Sequence, residues 1–286
     1  RPLNQITPAE IQKLYAHLKK RGRVRKHKKY GQQLSDSMVH CIHTLLHGAM
    51  GAAEQFRLIP RNPVAEVTVP KRKLPPKQIL NDEQLDTFMA AIQADDIWRD
   101  FFYTELTTGL RLGEICGLRW EDFDAEHGVL NIQRTIHVEK GGVLTVGDTK
   151  TYAGTRKIVL PASTVQVLCE RKNTTLTEWI FSNPLKPELP VNPRTAYSRL
   201  KALLKDAGLP SIRFHDLRHT FSTHALSSGV DAKTLSGILG HSRASFTLDT
   251  YTHVTGDMQK RASEVVGDFL TELLGEELKP WQSAEN

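Results

Sequence analysis

Residues 215–220 read His215-Asp216-Leu217-Arg218-His219-Thr220 and place a histidine three positions before an arginine. A His-x-x-Arg pair alone is a weak signal, so its weight depends on what the rest of the chain supplies. His215 and His219 also have the spacing of a zinc-binding pair, but the segment lacks the glutamate that the H-E-x-x-H metalloprotease motif requires as general base. We therefore expect no metal site here.

Other basic residues and a tyrosine lie on both sides of this segment, in an order that suits chemistry on a phosphodiester. The full set is Arg111 in Thr-Gly-Leu-Arg, Lys150 at the end of a predicted strand, His215, Arg218, His241 in Leu-Gly-His-Ser and Tyr251 in Asp-Thr-Tyr. Cleavage of a phosphodiester requires neutralisation of two non-bridging oxygens, a nucleophile and a proton donor for the leaving oxygen. The set contains residue types for each of these parts.

The two arginines are suited to the phosphate and the tyrosine to the attack. Arg111 and Arg218 can each present a planar fork of donors to phosphate oxygens, which a lysine cannot copy. Tyr251 is a poor nucleophile when protonated, because the reference pKa of tyrosine is about 10, so it needs nearby positive charge and a proton acceptor. We expect His215 to be that acceptor. Taken singly, each residue would be an ordinary ion-pair or core residue, and the joint order favours function.

This ordered set resembles the Arg, Lys, His-x-x-Arg, His and Tyr signature of tyrosine recombinases, also called phage-type integrases, and no position departs from it. The resemblance implies a mainly α fold with a small antiparallel β-sheet (α+β), in which a helical core-binding domain and a catalytic domain form a C-shaped clamp on DNA. It also implies that Lys150, on a mobile β-hairpin turn, protonates the leaving 5′ oxygen and that His241 hydrogen-bonds the phosphate. The product would be a 3′-phosphotyrosine, formed without ATP, metal or other cofactor.

The charge is distributed unevenly along the chain. Residues 1–77 carry sixteen Lys and Arg against four Asp and Glu, whereas residues 78–286 carry twenty-two against twenty-eight. A basic module joined to an acidic one is expected where one part grips phosphates. The Pro-rich, charged segment Pro70–Lys77 has no periodic apolar face and predicts a linker. We place the domains at residues 1–73 and 78–286, with the linker at 74–77.

Helical spacing dominates both predicted domains. Thr7-Pro8-Ala9-Glu10 predicts a capped first helix, a second runs from Met38 to Phe56 after Ser35, and Asn81 caps a third. A fourth helix is predicted from about Ile97 to Thr108 and a short one ends near Leu118. Residues 129–138, 143–146 and 157–160 are rich in β-branched side chains and predict one three-stranded antiparallel sheet. Helices are expected to resume at Ser163 and to continue to the C-terminus, where residues 265–274 carry an apolar stripe.

The DNA-binding residues are expected in the basic N-terminal part. A run with too little apolar content to pack predicts a solvated or DNA-ordered loop, and a second cluster lies at the linker. The candidates are Lys19, Lys20, Arg21, Arg23, Arg25, Lys26, Lys28, Lys29, Lys71, Arg72 and Lys73. His40, His43 and His47 share a helix face beside Cys41, and such a stripe is more often packing or DNA contact than a ligand set.

The family resemblance also implies partners. We expect double-stranded DNA attachment sites as substrate, a homotetramer held by exchange of the C-terminal helix, and accessory proteins, either an excisionase or a DNA-bending protein. The chain begins with Arg1 and not Met, so we expect a piece of a longer protein. The three scattered cysteines and the lack of an apolar stretch of about 20 residues indicate a reducing cytoplasm and no membrane contact. The resemblance implies that this cytoplasm is bacterial and that the protein associates with the nucleoid when it is on DNA.

Two alternatives stay open at this point. A Xer-type chromosome-dimer resolvase would share the same chemistry but lack the arm domain. A DNA-binding regulator without catalysis would need only the basic helical module. The complete catalytic set argues against the regulator. The integrase of a conjugative transposon or temperate phage is our first hypothesis, because such integrases often carry a small arm-binding domain ahead of the core-binding domain and a chain that begins at Arg1 fits that subclass.

Overall fold

A computed structural model describes residues 2–28, 30–71, 78–148 and 154–240, together with residues 263, 264 and 268. Backbone contacts divide the chain into two compact units, Arg1–Pro76 and Lys77–Asn286. Within the described residues, no helix combines the length and the apolarity needed to cross a lipid bilayer.

The first unit is built on helices α1 (Pro8–Arg21) and α2 (Asp36–Gln55). The predicted capping box is present, because the Thr7 hydroxyl accepts from the Glu10 N–H and the Glu10 carboxylate accepts from the Thr7 N–H. Ser35 caps α2 through the Met38 N–H. Both helices bury one face in a small apolar core of Ile11, Tyr15, Val39, Met50, Ala53, Ile59 and Val64.

The described part of the basic run that we predicted as a solvated or DNA-ordered loop ends α1 and continues as an exposed loop with its own backbone hydrogen bonds. The backbone of Arg23 donates to Gln32, and His27 and Gly31 exchange two backbone hydrogen bonds of 2.7 and 2.8 Å. Gly31 has φ +59°, a left-handed conformation that favours glycine, so it closes the turn. The run therefore forms a hairpin-like loop that displays its basic side chains.

The second unit contains helices, strands and a large apolar core. The helices are α3 (Asp82–Gln93), α4 (Arg99–Thr108), α5 (Leu112–Cys116), α6 (Ala162–Thr174), α7 (Pro193–Asp206), α8 (Phe214–Ser227) and α9 (Ala232–Leu239). The strands are β1 (Phe123–Asp124), β2 (Val129–Ile132), β3 (Arg134–Val138), β4 (Leu144–Asp148), β5 (Arg156–Val159), β6 (Ser182–Asn183) and β7 (Lys186–Pro190). Phe88, Phe101, Phe102 and Phe214 pack ring against ring at the centre of this core.

Our predicted three-stranded sheet is wrong in its grouping. The segment 129–138 divides at Gln133 into β2 and β3, and β2 pairs with β1 and β5 whereas β3 pairs with β4 in a separate two-stranded sheet. The physical reason lies at Gly113 of α5, where an added Cβ would overlap Thr135 and the Ile136 carbonyl of β3. This close approach directs β3 onto α5 and away from β2.

Our prediction that the chain continues as helices from Ser163 to the C-terminus is also wrong. Helix α6 ends at Thr174, and β6 and β7 form an antiparallel hairpin before α7 begins. Pro184, Pro187 and Pro190 lie in or between these strands and could not occupy a helix interior without breaking it. The hairpin follows a buried segment, Trp179-Ile180-Phe181, that anchors it in the core.

Candidate active site

Helices α4 and α9 both end at a glycine in the left-handed conformation, and the two ends meet at the candidate site. Gly109 has φ +59° and Gly240 has φ +64°. A Cβ on Gly109 would overlap the Phe221 ring of α8, so the position excludes larger residues on two grounds. These ends leave backbone carbonyls that need donors.

Three arginines donate to three consecutive carbonyls at the end of α9. Arg156 Nε lies 2.6 Å from the Ile238 oxygen, Arg218 Nη2 lies 2.6 Å from the Leu239 oxygen, and Arg111 Nη2 lies 3.1 Å from the Gly240 oxygen. Arg218 Nη1 also donates to the Gly109 oxygen at 2.8 Å. These bonds bring Arg111, in the loop before α5, and Arg218, in α8, to the same place although they are 107 positions apart in the sequence.

The two arginines of the predicted set differ in their access to solvent. The Arg111 side chain is 41% exposed, so an oxygen of an incoming phosphate can reach it. Arg218 is 1% exposed, so a phosphate can touch its guanidinium only if the residues covering it move. Burial, and then the charge of Arg111, lowers the pKa of Arg218 to about 10, which leaves it charged at neutral pH.

His215 lies on the first turn of α8, one turn before Arg218. Its position is set by Asp216, whose carboxylate accepts from the backbone N–H and the side chain of Arg213 and so caps the helix. Crowding by protein atoms, followed by the charge of Arg218, lowers the pKa of His215 below its ordinary value. His215 is therefore neutral at neutral pH and able to accept a proton.

Glu114 belongs to this site, and our sequence analysis missed it. Its carboxylate accepts four hydrogen bonds, from the Arg111 backbone, the Arg111 guanidinium at 2.5 Å and two nitrogens of Arg156 at 3.2 and 2.9 Å. Burial alone would raise the pKa of Glu114, but the hydrogen bond and charge of Arg156, with the charge of Arg111, outweigh it and lower the pKa. A glutamate three residues after a helix start is a capping signal, which could have identified it.

The structure brings together Arg111, His215 and Arg218 among the six predicted catalytic residues. Lys150, His241 and Tyr251 lie outside the described residues, as do Lys29, Arg72, Lys73, the segment 72–77 and the apolar stripe at 265–274. His215 and His219 stack edge to face with ring centroids 4.6 Å apart. Within the described part of the chain, no group of three or more His, Cys, Asp or Glu could hold a metal ion.

Four of the candidate DNA-binding residues lie around a concave surface of the first unit. Lys20, Arg21, Arg23 and Lys26 line this surface, which encloses about 940 Å³. Arg23 Nε donates to the Gln33 oxygen at 2.8 Å, and Lys19 pairs with Asp36. In contrast, the His40, His43 and His47 rings pack along α2 with centroids about 6 Å apart, and His43 bonds the Tyr15 hydroxyl at 3.0 Å. This histidine row is therefore tied into the packing between α1 and α2.

Comparison with known proteins places these features in one family. The phage integrase family matches residues 78–257. A XerC-like tyrosine recombinase of Caldanaerobacter subterraneus subsp. tengcongensis is 28% identical over 271 residues, covering 85% of this chain and 68% of that protein. The transposase from transposon Tn916 of Enterococcus faecalis is 30% identical over 201 residues, which cover 64% of this chain and 49% of the transposase. The chain thus matches about half the length of that relative.

Solved structures share the fold. The Tn1549 transposon integrase in complex with a circular intermediate DNA superposes with a TM-score of 0.76 and 24% identity, over 93% of this chain and 87% of that one. XerA recombinase superposes with a TM-score of 0.53 and 20% identity, over 93% of this chain and 84% of that one. The family match, which covers more than half of the chain, and these folds agree with the clustered arginines and histidine, and the chain therefore belongs to the phage integrase family of tyrosine recombinases.

Proposed function

We propose that this protein is the integrase of a mobile element, a site-specific recombinase that cleaves and rejoins DNA through a 3′-phosphotyrosine at Tyr251. The observation that carries the proposal is the meeting of Arg111 and Arg218 at the end of α9, with His215 one helical turn before Arg218 and influenced by the charges of both arginines. In the sequence, His241 directly follows the Gly240 carbonyl that Arg111 holds, and Tyr251 comes ten positions later.

The arginines act on the phosphate. Arg111 meets a non-bridging oxygen from the exposed side of the site, and Arg218 reaches the other once its cover is displaced. Both guanidinium groups are held by backbone carbonyls, so their positions are fixed before the reaction begins. Fixed charges that face the growing negative charge of a transition state contribute the largest share of rate enhancement in many enzymes.

The nucleophile and the leaving group exchange one proton each with the protein. His215 accepts the Tyr251 proton as the phenol oxygen bonds to phosphorus. The bond from phosphorus to the 5′ oxygen then breaks, Lys150 donates a proton to that oxygen, and His241 hydrogen-bonds the phosphate. One ester replaces another, so the reaction needs neither ATP nor a metal.

Recombination follows when the 5′ hydroxyl of a partner strand attacks the phosphotyrosine. A second round resolves the four-way junction, and two duplexes require four active sites, which a homotetramer joined by C-terminal helices supplies. The basic loop of the first domain contacts backbone phosphates of the attachment site. The protein works in the bacterial cytoplasm, where the attachment sites are found. An excisionase or DNA-bending protein would set whether the element is integrated or excised.

The Xer-type resolvase is the second candidate, since its chemistry is the same. The likeness to the transposase from transposon Tn916, 30% identical over 201 residues, supports the mobile-element integrase. A regulator without catalysis is disfavoured by the arrangement of Arg111 and Arg218, which DNA binding alone does not require.

The test is a recombination assay on DNA from the ends of the element that encodes the protein. Two duplexes carrying these ends, mixed with the protein and no ATP or divalent metal, should give recombinant strands. Tyr251→Phe should give none while binding the same DNA. Recombination by the Phe variant, or dependence on added metal, would reject the proposed nucleophile or the proposed mechanism, and activity on chromosomal dimer sites alone would favour the Xer-type assignment.

A further inference from the structure

Arg156, Arg218 and Arg111 donate to three consecutive carbonyls at the end of α9, and we call these contacts the α9 row. Of the three arginines, Arg156 is not part of the six-residue family signature. Its side chain is 7% exposed, although it extends from the short strand β5 at the edge of its sheet. Its guanidinium makes four hydrogen bonds, to the Ile238 oxygen, the Gly154 oxygen and both Glu114 oxygens. A charged side chain held in this way is costly to bury unless its partners are fixed.

The contacts of Arg156 connect it to Arg111 through one carboxylate. The Glu114 carboxylate accepts a bidentate pair of hydrogen bonds from Arg156. It also accepts one hydrogen bond from the Arg111 backbone N–H and one from the Arg111 guanidinium. Two arginines on one carboxylate leave a net positive charge, which suits a phosphate ligand. Of the two arginines, Arg156 has the larger influence on the lowered pKa of Glu114, so the carboxylate stays ionised mainly because of Arg156.

Arg156 also holds the backbone at the end of α9. It takes the Ile238 carbonyl, and Arg218 and Arg111 take the next two. The three bonds fix the last turn of α9 against α5 and β5. β5 begins at Arg156, six positions after Lys150 in the sequence. Arg156 is therefore close in sequence to Lys150 and shares the end of α9 with Arg111 and Arg218.

We propose that Arg156 is a positioning residue for DNA cleavage, which holds Glu114 and the α9 terminus so that the exposed part of the Arg111 guanidinium is presented to the phosphate. The inference rests on the proposed recombinase function. Arg156 does not touch the phosphate itself, because its donors are directed to protein oxygens. Without Arg156, Arg111 is the one arginine left on the Glu114 carboxylate, which draws further Arg111 N–H donors to the protein and away from the phosphate.

The experiment measures single-turnover cleavage of a nicked duplex that carries the element's end sequence and traps the covalent adduct. Wild type, Arg156→Lys and Arg156→Gln are compared at saturating DNA. Misplacement of a positioned group by about 1 Å can cost on the order of 100-fold in rate, so both variants should cleave roughly 10- to 100-fold more slowly. DNA affinity should change less than about threefold, since Arg156 donates to no phosphate.

Arg171→Lys is the matched control for loss of a bridging arginine. Arg171 likewise donates through Nε to a carbonyl, that of Ile180 at 2.6 Å, and through Nη1 to a carboxylate, that of Asp100 at 3.2 Å. Its partners lie in the core of the second unit and not in the α9 row. Arg171→Lys should therefore lower thermal stability as much as Arg156→Lys does, while its cleavage rate stays within about threefold of wild type.

A second substrate separates positioning from loss of folded protein. Replacing the scissile phosphate by a methylphosphonate removes one negative charge, so a fault in charge neutralisation matters less. The defects of Arg156→Gln and Arg111→Lys should both shrink on this substrate, whereas misfolding would reduce cleavage of both substrates equally. In a double-mutant cycle, Glu114→Gln should add little to Arg156→Gln, because both break the same link.

The outcomes distinguish this inference from the function on which it rests. If wild type forms no adduct, the recombinase function fails and this inference with it. If wild type forms the adduct and the Arg156 variants cleave at its rate, the positioning role is overturned while the function stands. Equal defects on the phosphate and methylphosphonate substrates would likewise overturn it in favour of a purely structural role.

Discussion

Replacement of Arg218 by lysine tests the claim that fork geometry, and not charge alone, serves the phosphate. In the structure the guanidinium spans two carbonyls, with Nη1 at 2.8 Å from Gly109 and Nη2 at 2.6 Å from Leu239. A lysine ammonium carries the same charge but is a single point, so it can hold one of these carbonyls or turn toward the phosphate. The variant therefore keeps the charge and loses the geometry.

The expected magnitudes follow from these hydrogen bonds. Loss of one hydrogen bond between a charged donor and a buried carbonyl should lower the free energy of unfolding by about 1.5–3 kcal/mol. For a domain of this size, that corresponds to a melting temperature lower by roughly 3–12 °C. Loss of one fixed donor to the transition state should raise the cleavage barrier by about 3–4 kcal/mol, or 10²- to 10³-fold in rate.

The assay is single-turnover cleavage of the nicked duplex at saturating DNA, at a temperature well below the melting point of the variant. Arg171→Lys serves as a stability-matched control, because it also loses a bridging arginine in the same unit. A rate for Arg218→Lys within threefold of Arg171→Lys would refute the reasoning. So would a 100-fold loss of DNA affinity, since the effect would then lie in binding.

Three further predictions concern pH, stability and salt. Because crowding by protein atoms and the charge of Arg218 lower the pKa of His215, the folded protein resists taking a proton that the unfolded chain takes near pH 6.5. The cleavage rate should therefore stay above half its plateau value at pH 6.5 and decline at lower pH. The free energy of unfolding should fall over the same acid range. A cleavage rate that is halved at or above pH 6.5 would contradict this. Asp122→Ala removes a carboxylate that is 1% exposed and leaves the Arg134 charge unpaired on that side, so chemical denaturation should show a free energy of unfolding lower by about 3–5 kcal/mol. Glu121→Ala changes an exposed partner of the same arginine and should lower the free energy of unfolding by about 1 kcal/mol or less. Equal losses for the two variants would refute this account. Changing the exposed Lys20, Arg25 and Lys26 to glutamine should reduce the slope of log affinity against log salt by about 0.9 for each DNA phosphate that the protein no longer neutralises. Fluorescence anisotropy at several salt concentrations measures this slope. An unchanged slope would place the DNA-binding surface elsewhere.

Features set by nearby residues could be predicted from the sequence. The starts of α1, α2 and α3 follow from the caps at Thr7, Ser35 and Asn81, each of which acts within three residues. The grouping of strands could not, because it depends on the close approach of Gly113 to Thr135, a packing detail of α5 against β3. Sequence periodicity carries no information on such an approach.

The candidate site shows the same division. Arg111, His215 and Arg218 were identified because their order and types are those of a known chemistry, and the structure places these three together. Glu114 and Arg156 are 42 positions apart, and Arg156 is 82 positions from Ile238. Each reads locally as an ordinary charged residue, so only the folded chain reveals that they link the two arginines.

The central claim is that these residues serve a covalent attack by Tyr251, and the linkage itself tests it. The adduct trapped on the nicked duplex should be digested with protease and nuclease, and the attached nucleotide located by mass spectrometry. The account predicts a single tyrosine peptide containing Tyr251, joined to the 3′ phosphate of the cleaved strand. A nucleotide attached to another residue, or joined through a 5′ phosphate, would contradict it.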